Sequence, residues 1–112
     1  ILGPKSITFM TKNHLSESSM HAAWEQMPTP DIGRPGFGFG LGFGVVTDAA
    51  AIGVLGSDGE YNWGGAAGTI FWVDPTEELV VVSLIQLMQS PWPLRADVKV
   101  AVYQALTEIY ED

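Results

Sequence analysis

The chain has 112 residues, of which 46% are hydrophobic and 11% aromatic, and this predicts one domain, or part of one, with a single modest core. Five scattered basic residues face thirteen acidic ones, for a net charge of −8, so no basic stripe is present to bind nucleic acid. No apolar run approaches the roughly 20 residues of a membrane-spanning helix. The absence of cysteine excludes disulfides and thiolate metal sites. The first residues, ILGPKSITFM, show no signal-peptide pattern, so the localisation stays undetermined.

The N-terminal segment is predicted to be helical. Pro4 suits an early helical position, and the spacing of Ile7 and Met10 predicts a short helix over residues 6–14. His14 would then interact with the last carbonyls of that helix. Residues 16–34 are polar and interrupted by prolines, with MPTPDIGRP as the least regular part, and we expect a long connection there.

Glycine alternates with large apolar residues over residues 36–46, in the order GFGFGLGFGVV. A period of two predicts a β-strand with one apolar face and one bare face. A G-x-G-x-x-G nucleotide loop is excluded, because the position five residues after each candidate first glycine is Phe, Leu, Val or Thr.

A second strand is predicted over residues 60–73, and it would begin with the small residues of NWGGAAGTIFWVD. Glycine is costly in a strand, so such a run indicates that something approaches the backbone closely. A packed helix and a ligand both satisfy that condition, and the sequence pattern alone leaves the choice open. Residues 74–78 predict a turn, residues 79–88 a β-prone partner strand, and Trp72 a core position.

A C-terminal helix is predicted from Leu94 to Glu111 by an apolar stripe with a period near 3.6. Trp92, between two prolines, is expected to anchor its loop against this helix. The fold class is therefore α+β, with about three antiparallel strands and a long C-terminal helix packed on one face. The residues of the stripe are Val98, Ala101, Val102, Ala105, Leu106 and Ile109.

Catalytic motifs are scarce. His14 and His21 lack metal-ligand spacing, no G-x-S-x-G elbow occurs, and no serine is followed by lysine three residues later. Glu77 and Glu78 are interpreted as a solvated turn rather than an acid/base pair. One option remains: a strand edge with minimal side chains can present backbone N–H groups to an oxyanion, with Trp63 as an apolar wall. Helix packing is the competing explanation for the same residues.

The order of GFGLGFGVV, NWGGAAGTIFWVDP, LVVVSLIQLM and VYQAL resembles the C-terminal third of the serine β-lactamase-related family. That family includes class C β-lactamases, penicillin-binding proteins and family VIII carboxylesterases. The resemblance covers nearly the whole chain and is strongest over residues 36–106. It implies that residues 1–112 are a C-terminal segment of a β-lactamase/transpeptidase-like domain, without the N-terminal part that carries the nucleophile.

The resemblance also implies site residues and a chemistry. Trp63, Gly64 and Gly65 match the third active-site motif and would bind substrate, while Ala66 would supply an oxyanion-hole N–H. The parent would transfer the acyl group of a small-molecule ester or amide to serine and then hydrolyse it, with no metal or organic cofactor. The third motif lacks the lysine and threonine that bind a β-lactam carboxylate, which favours esters. Because Ser-x-x-Lys and Tyr-x-Asn are absent, the chain alone is expected to be inactive.

The alternative interpretation is a non-catalytic binding or structural module in which the glycine-rich strands serve only packing. The two hypotheses differ in the behaviour expected of the isolated chain. A stand-alone module should be monomeric, whereas an enzyme segment should expose apolar surface and a sheet edge. We therefore expect the chain to self-associate or to pair with the N-terminal portion of its parent.

Overall fold

The computed structural model describes residues 1–26 and 34–110, which form a five-stranded antiparallel sheet with flanking helices. The helices within these ranges are α1 (Pro4–Met10), α2 (Glu17–Gln26), α3 (Ala49–Ile52) and α4 (Leu94–Gln104). The strands are β1 (Phe37–Phe39), β2 (Gly44–Val46), β3 (Tyr61–Gly64), β4 (Ile70–Asp74) and β5 (Leu79–Ser83). The expected α+β class is confirmed.

The sheet has the order β1-β2-β3-β4-β5, so β3 is its central strand. It contains five strands rather than about three, because both glycine-rich segments reverse direction. Over residues 36–46 the chain forms a β1–β2 hairpin, in which Gly40 N donates to Phe43 O at 2.8 Å. Gly42 has φ +112°, a backbone conformation that favours glycine. Glycine and apolar residues continue to alternate through the turn, so the sequence pattern does not show that the strand is interrupted there.

The run of small residues forms the turn between β3 and β4 and does not begin a strand. Gly65 N donates to Thr69 O at 2.8 Å, and Gly68 N donates to Gly65 O at 3.0 Å. Gly68 has φ +86°, and a Cβ at this position would lie 2.5 Å from Ile85 Cδ1. Glycine is therefore required at position 68 by the turn and by the segment after β5, and α4 is not the neighbour involved.

The N-terminal segment covers the outer edge of β1. Helix α1 ends at Met10, and His14 Nε2 lies 2.6 Å from the carbonyl oxygen of Phe9 in its last turn, as expected. His14 N donates to Phe39 O at 2.9 Å, while Asn13 Oδ1 accepts from Phe39 N at 3.0 Å. These contacts occupy backbone groups that an edge strand would otherwise leave unpaired.

The predicted connection over residues 16–34 is partly wrong, because α2 occupies residues 17–26. Ser16 Oγ accepts from Ser19 N at 3.2 Å, and Glu17 lies in the first turn of the helix. This is the N-terminal chemistry that stabilises a helix start. Most of the irregular MPTPDIGRP stretch lies outside the described residues.

The core is small, and α4 packs over it differently from the prediction. Trp72 is 1% exposed, which confirms its core position. Helix α4 begins at Leu94 as expected but ends at Gln104 instead of Glu111, which itself lies outside the described residues. None of its residues is fully buried: Val98, Val102 and Leu106 of the predicted stripe are half-buried, whereas the other three stripe residues are exposed. Trp92 is 71% exposed, and the prediction that it anchors its loop is wrong.

No helix within residues 1–26 and 34–110 combines the length and apolar character that crossing a membrane requires.

Candidate functional site

The predicted third-motif segment, residues 63–66, lies at the end of the central strand. Trp63 pairs with Phe71 across β3 and β4 and makes an edge-to-face contact with Phe39, with ring centroids 5.4 Å apart. Its side chain is 38% exposed. Gly64 is the last residue of β3, and Gly65 and Ala66 begin the turn. The four residues therefore line an accessible corner of the sheet.

Ala66 follows the last hydrogen bond of the β3–β4 hairpin. The N–H of Gly65 is occupied by Thr69 O, whereas the exposed Ala66 N–H donates no hydrogen bond within the described part of the chain. An N–H at this position can donate to an incoming carbonyl oxygen without breaking the sheet. A Cβ on Gly65 would collide with Thr69 Oγ1, so glycine at this position also serves the turn.

The opposite face of β3 is polar and buried. Glu60, immediately before the strand, is 1% exposed, and Asn62 is 2% exposed. Glu60 Oε2 lies 2.7 Å from Lys99 Nζ, and Asn62 Oδ1 accepts from Arg95 Nη2 at 2.7 Å. Buried polar groups are costly unless they are paired, and these contacts supply the pairing.

Helix α4 contacts the sheet through a series of hydrogen bonds that we call the polar ladder. Its last contact joins Tyr103 OH to Asp74 Oδ2 at 2.7 Å. Asp74 is fully buried, and its Oδ2 also accepts from Ser57 Oγ at 2.8 Å. The ladder consists of three pairs: Arg95–Asn62, Lys99–Glu60 and Tyr103–Asp74.

Burial shifts the acid–base behaviour of two ladder groups. Burial raises the pKa of the Glu60 carboxyl above its usual range, and the neighbouring Lys99 cation opposes this rise. The pKa of the Tyr103 hydroxyl is also raised, first by burial and then by its hydrogen bond to Asp74. Tyr103 therefore remains a hydrogen-bond donor throughout the physiological pH range.

Sequence reasoning missed the polar ladder. A signal was available, because Arg95, Lys99 and Tyr103 recur at four-residue spacing on one side of α4, while Glu60 and Asn62 share one face of β3. Each residue type is common on solvated surfaces. Only the packing of helix on sheet reveals that these side chains face one another.

A cavity of about 430 Å³ lies on the α4 side of the sheet and is lined in part by Asn62, Trp92, Arg95 and Lys99. Trp63, Gly65 and Ala66 are not among its lining residues, so this cavity is separate from the predicted motif. Metal ligation has no support either, since residues 1–26 and 34–110 contain no cluster of His, Cys, Asp and Glu that could hold an ion.

Comparison with known sequences gives a consistent family. Residues 7–105 match the family described as Beta-lactamase. Protein Rv1367c of Mycobacterium tuberculosis (strain ATCC 25618 / H37Rv) is 36% identical over 92 residues, which are 77% of this chain and 21% of that protein. The uncharacterized protein MT1414 of strain CDC 1551 / Oshkosh matches equally. The chain thus spans about a fifth of the length of these curated relatives.

Solved structures share the fold. A chain of EstCE1, described as a hydrolase with promiscuous acyltransferase activity, superposes with a TM-score of 0.72 at 28% identity. The match covers 92% of this chain and 25% of EstCE1. Simvastatin synthase (LovD) from Aspergillus terreus superposes with a TM-score of 0.70 at 21% identity, over 96% of this chain and 30% of LovD. The LovD likeness is one of fold alone.

Proposed function

Because this chain belongs to the Beta-lactamase family, we propose that it is the C-terminal segment of a serine hydrolase that acts on small esters. The observation that carries the proposal is the position of Ala66. Ala66 is exposed, and its N–H follows the last hydrogen bond of the β3–β4 hairpin, three residues after the accessible Trp63. Residues 63–66 thus combine a hydrogen-bond donor with an apolar wall.

In the proposed reaction, a serine of the larger protein attacks the ester carbonyl through its Oγ. The carbonyl oxygen becomes an oxyanion, which accepts a hydrogen bond from the Ala66 N–H. The alcohol leaves with a proton as the acyl–serine bond remains, and water then releases the acid and regenerates the serine. Trp63 would pack against the apolar part of the substrate. No described residue of this chain supplies the nucleophile in this scheme.

Ester chemistry is favoured over lactam chemistry by the residues of the third motif. In this segment Trp63 and Gly64 precede Gly65, so the motif itself lacks the lysine and threonine that hold a β-lactam carboxylate. The similarity to EstCE1, a hydrolase with promiscuous acyltransferase activity that is 28% identical, also supports ester chemistry. We therefore propose that the parent enzyme acts on esters, like the esterase-type members of its family.

A non-catalytic module remains the second candidate, and Gly68 favours it. That glycine is explained by its φ of +86° and by its contact with Ile85, with no need for a ligand. Gly65 likewise fits closely against Thr69. Turn packing does not account for the exposed Trp63, however. The proposed esterase gives this residue a role in substrate binding, whereas the non-catalytic module gives it none.

The decisive experiment is hydrolysis of a short-chain p-nitrophenyl ester by the full-length protein proposed above. We expect Gly65→Val to lower kcat by about 100-fold or more, because the added bulk displaces the turn that carries the Ala66 N–H. Gly3→Val is the matched control, since no atom lies within 4 Å of a Cβ at that exposed position. Full ester hydrolysis by the Gly65→Val protein would rule out the site assignment.

We propose further that the face of the sheet opposite α4 is covered by the rest of the parent enzyme. Val80 and Val82 of β5 are 64% and 59% exposed there, in register with Val73 and Phe71 of β4. Beyond them the outer edge of β5 lacks a partner strand within the described residues. Exposed apolar edges favour pairing between chains.

The isolated 112-residue chain is accordingly expected to self-associate, which sedimentation velocity at increasing concentration would detect. Val82→Lys places a charge on the exposed face of β5 and should shift the chain toward monomer. Leu41→Lys, in the β1–β2 turn at the other end of the sheet, should leave the association unchanged. Strictly monomeric behaviour of the unmodified chain would favour the stand-alone module.

A further inference from the structure

Helix α4 contacts the strand that carries the proposed motif through directed hydrogen bonds. Arg95 binds Asn62, which immediately precedes Trp63, and Lys99 binds Glu60. A Cβ on Gly64 would lie 3.9 Å from Arg95 Nη1, so the guanidinium stands directly behind the motif. We propose that Arg95 is a positioning residue, which fixes β3 along its own axis and thereby holds the Ala66 N–H in place; this rests on the proposed function.

The spacing of the ladder explains how it sets a position. Four residues of a helix rise about 6 Å, and two residues of a strand rise about 6.7 Å. Side chains four apart on a helix can therefore reach side chains two apart on an adjacent strand. Arg95 and Lys99 are four residues apart on α4, and Asn62 and Glu60 are two apart on the strand. The helix runs antiparallel to β3, and two successive pairs define the register between them.

An apolar contact would not give the same constraint. Hydrophobic burial is non-directional, so a strand can shift by a fraction of a residue under a helix with little change in buried area. A hydrogen bond weakens steeply when its length and angle change. The Arg95–Asn62 distance of 2.7 Å, with Asn62 2% exposed, therefore resists such a shift.

The motif needs a constraint of this kind because its functional group belongs to the backbone. A side chain can adjust its rotamer, whereas the Ala66 N–H moves only with the strand and turn. Misplacement of a catalytic group by about 1 Å can cost about 100-fold in rate. Hydrogen bonds to β2 and β4 set the register of β3 within the sheet, and the ladder adds a second constraint along the strand axis, relative to α4.

The test compares Arg95→Leu with the double variant Asn62→Leu/Arg95→Leu in the full-length protein. Arg95→Leu leaves the Asn62 amide without its guanidinium partner and should lower both the urea midpoint and kcat. The double variant replaces both partners by apolar groups, which also removes the 3.4 Å contact of Asn62 Nδ2 with Glu60 Oε1, and it should recover part of the midpoint. We expect its kcat to stay about 100-fold low with KM little changed, because the directed contact is still missing. Lys5→Leu, on exposed α1, is the charge-removal control.

The outcomes separate the role of Arg95 from simple stabilisation. If kcat recovers together with the midpoint in the double variant, Arg95 is only structural and the inference is overturned. If the midpoint recovers while kcat stays low, the positioning role is supported. Arg95→Lys retains a hydrogen-bond donor and should recover part of kcat. If the kcat of Arg95→Lys is no higher than that of Arg95→Leu, the positioning role is contradicted.

Hydrogen exchange distinguishes a failure of this inference from a failure of the proposed function. If the unmodified full-length protein hydrolyses no ester, the proposed function fails, but the mechanical role of the ladder can still be measured. Backbone amides of residues 61–68 should exchange faster in the double variant, while those of Leu79–Ser83 should not. Unchanged exchange over residues 61–68 would overturn the inference whatever the activity.

Discussion

The two faces of β3 differ in what their side chains contact. On the α4 side, Glu60 and Asn62 are almost fully buried and each is bound by a cation from the helix. On the other side, the Tyr61 ring packs against Phe43 and the Trp63 ring against Phe39, and both Tyr61 and Trp63 remain partly accessible. The strand is thus held by polar groups on one face and offers an apolar surface on the other. Hydrogen bonds on the buried face fix the position of the strand, because they are directional. The apolar exposed face can bind the surface that covers it.

The largest expected effect is the loss of the ladder's ion pair. Lys99→Met would leave the buried Glu60 carboxylate without its cation, and we expect the free energy of unfolding to fall by about 3 kcal/mol. Urea unfolding of the full-length protein measures this change. Lys5→Met, which removes an exposed cation from α1, should change stability by less than about 0.5 kcal/mol. A similar loss in both variants would show that the buried ion pair contributes no more to stability than an exposed cation does.

A smaller stability effect is expected on the opposite face. Trp63→Ala removes the edge-to-face contact with Phe39, and such a pair contributes about 0.5–1.5 kcal/mol to the free energy of unfolding beyond its apolar burial. Ester hydrolysis should respond more strongly, with kcat/KM at least about tenfold lower, because an apolar wall of the proposed site is lost. Unchanged kcat/KM would indicate that this face binds another part of the protein and not the substrate.

The smallest expected effect is a pH dependence that arises from Glu60. Lys99, Tyr103 and Asp74 face this carboxyl, and burial raises its pKa above the usual value of 4.5. The native state then retains the proton to a higher pH than the unfolded chain does. The contribution of Glu60 to stability is therefore full below about pH 4.5 and decreases as the pH rises through the raised pKa.

Urea midpoints measured from pH 4 upwards would test this dependence. Glu60→Gln cannot titrate and should have a smaller slope of stability against pH than the unmodified protein. The Glu77→Gln variant is the control, because that residue lies in the β4–β5 turn and its carboxyl accepts from Tyr110 N instead of joining any ladder pair. An equal slope in the unmodified and Glu60→Gln proteins would contradict the assigned direction.

Parts of the fold could be predicted because they depend on local periodicity. The start of α4 at Leu94, the strand that contains Trp72 and the contact of His14 with a helix-terminal carbonyl all follow from residues close in sequence. The strand count could not be obtained in this way. Glycine accommodates both extended and left-handed backbone, so the pattern of residues 36–46 does not reveal where the chain reverses.

The candidate site also has parts that the sequence predicts and parts that only the structure shows. Residues 63–66 are recognisable from their order in the chain, because a motif is a local string. The structure adds that Gly65 and Ala66 lie in a turn and not in a strand, which changes the physical reason for their small size. The Arg95–Asn62 contact joins residues 33 positions apart. The spacing within each segment shows which side chains share a face, but it does not show which two faces meet.

The sequence by itself determined the class of fold, the family and the place of the small-residue motif, because composition, period and residue order are local properties. Tertiary structure alone decided that Arg95, Lys99 and Tyr103 of α4 make directed contacts with the sheet. Burial of Glu60 and Asp74 requires partners in the interior, and Lys99 and Tyr103 provide them. The stabilisation of a buried polar group depends on which partner lies next to it in space. That neighbour is set by the folded structure and not by the local sequence.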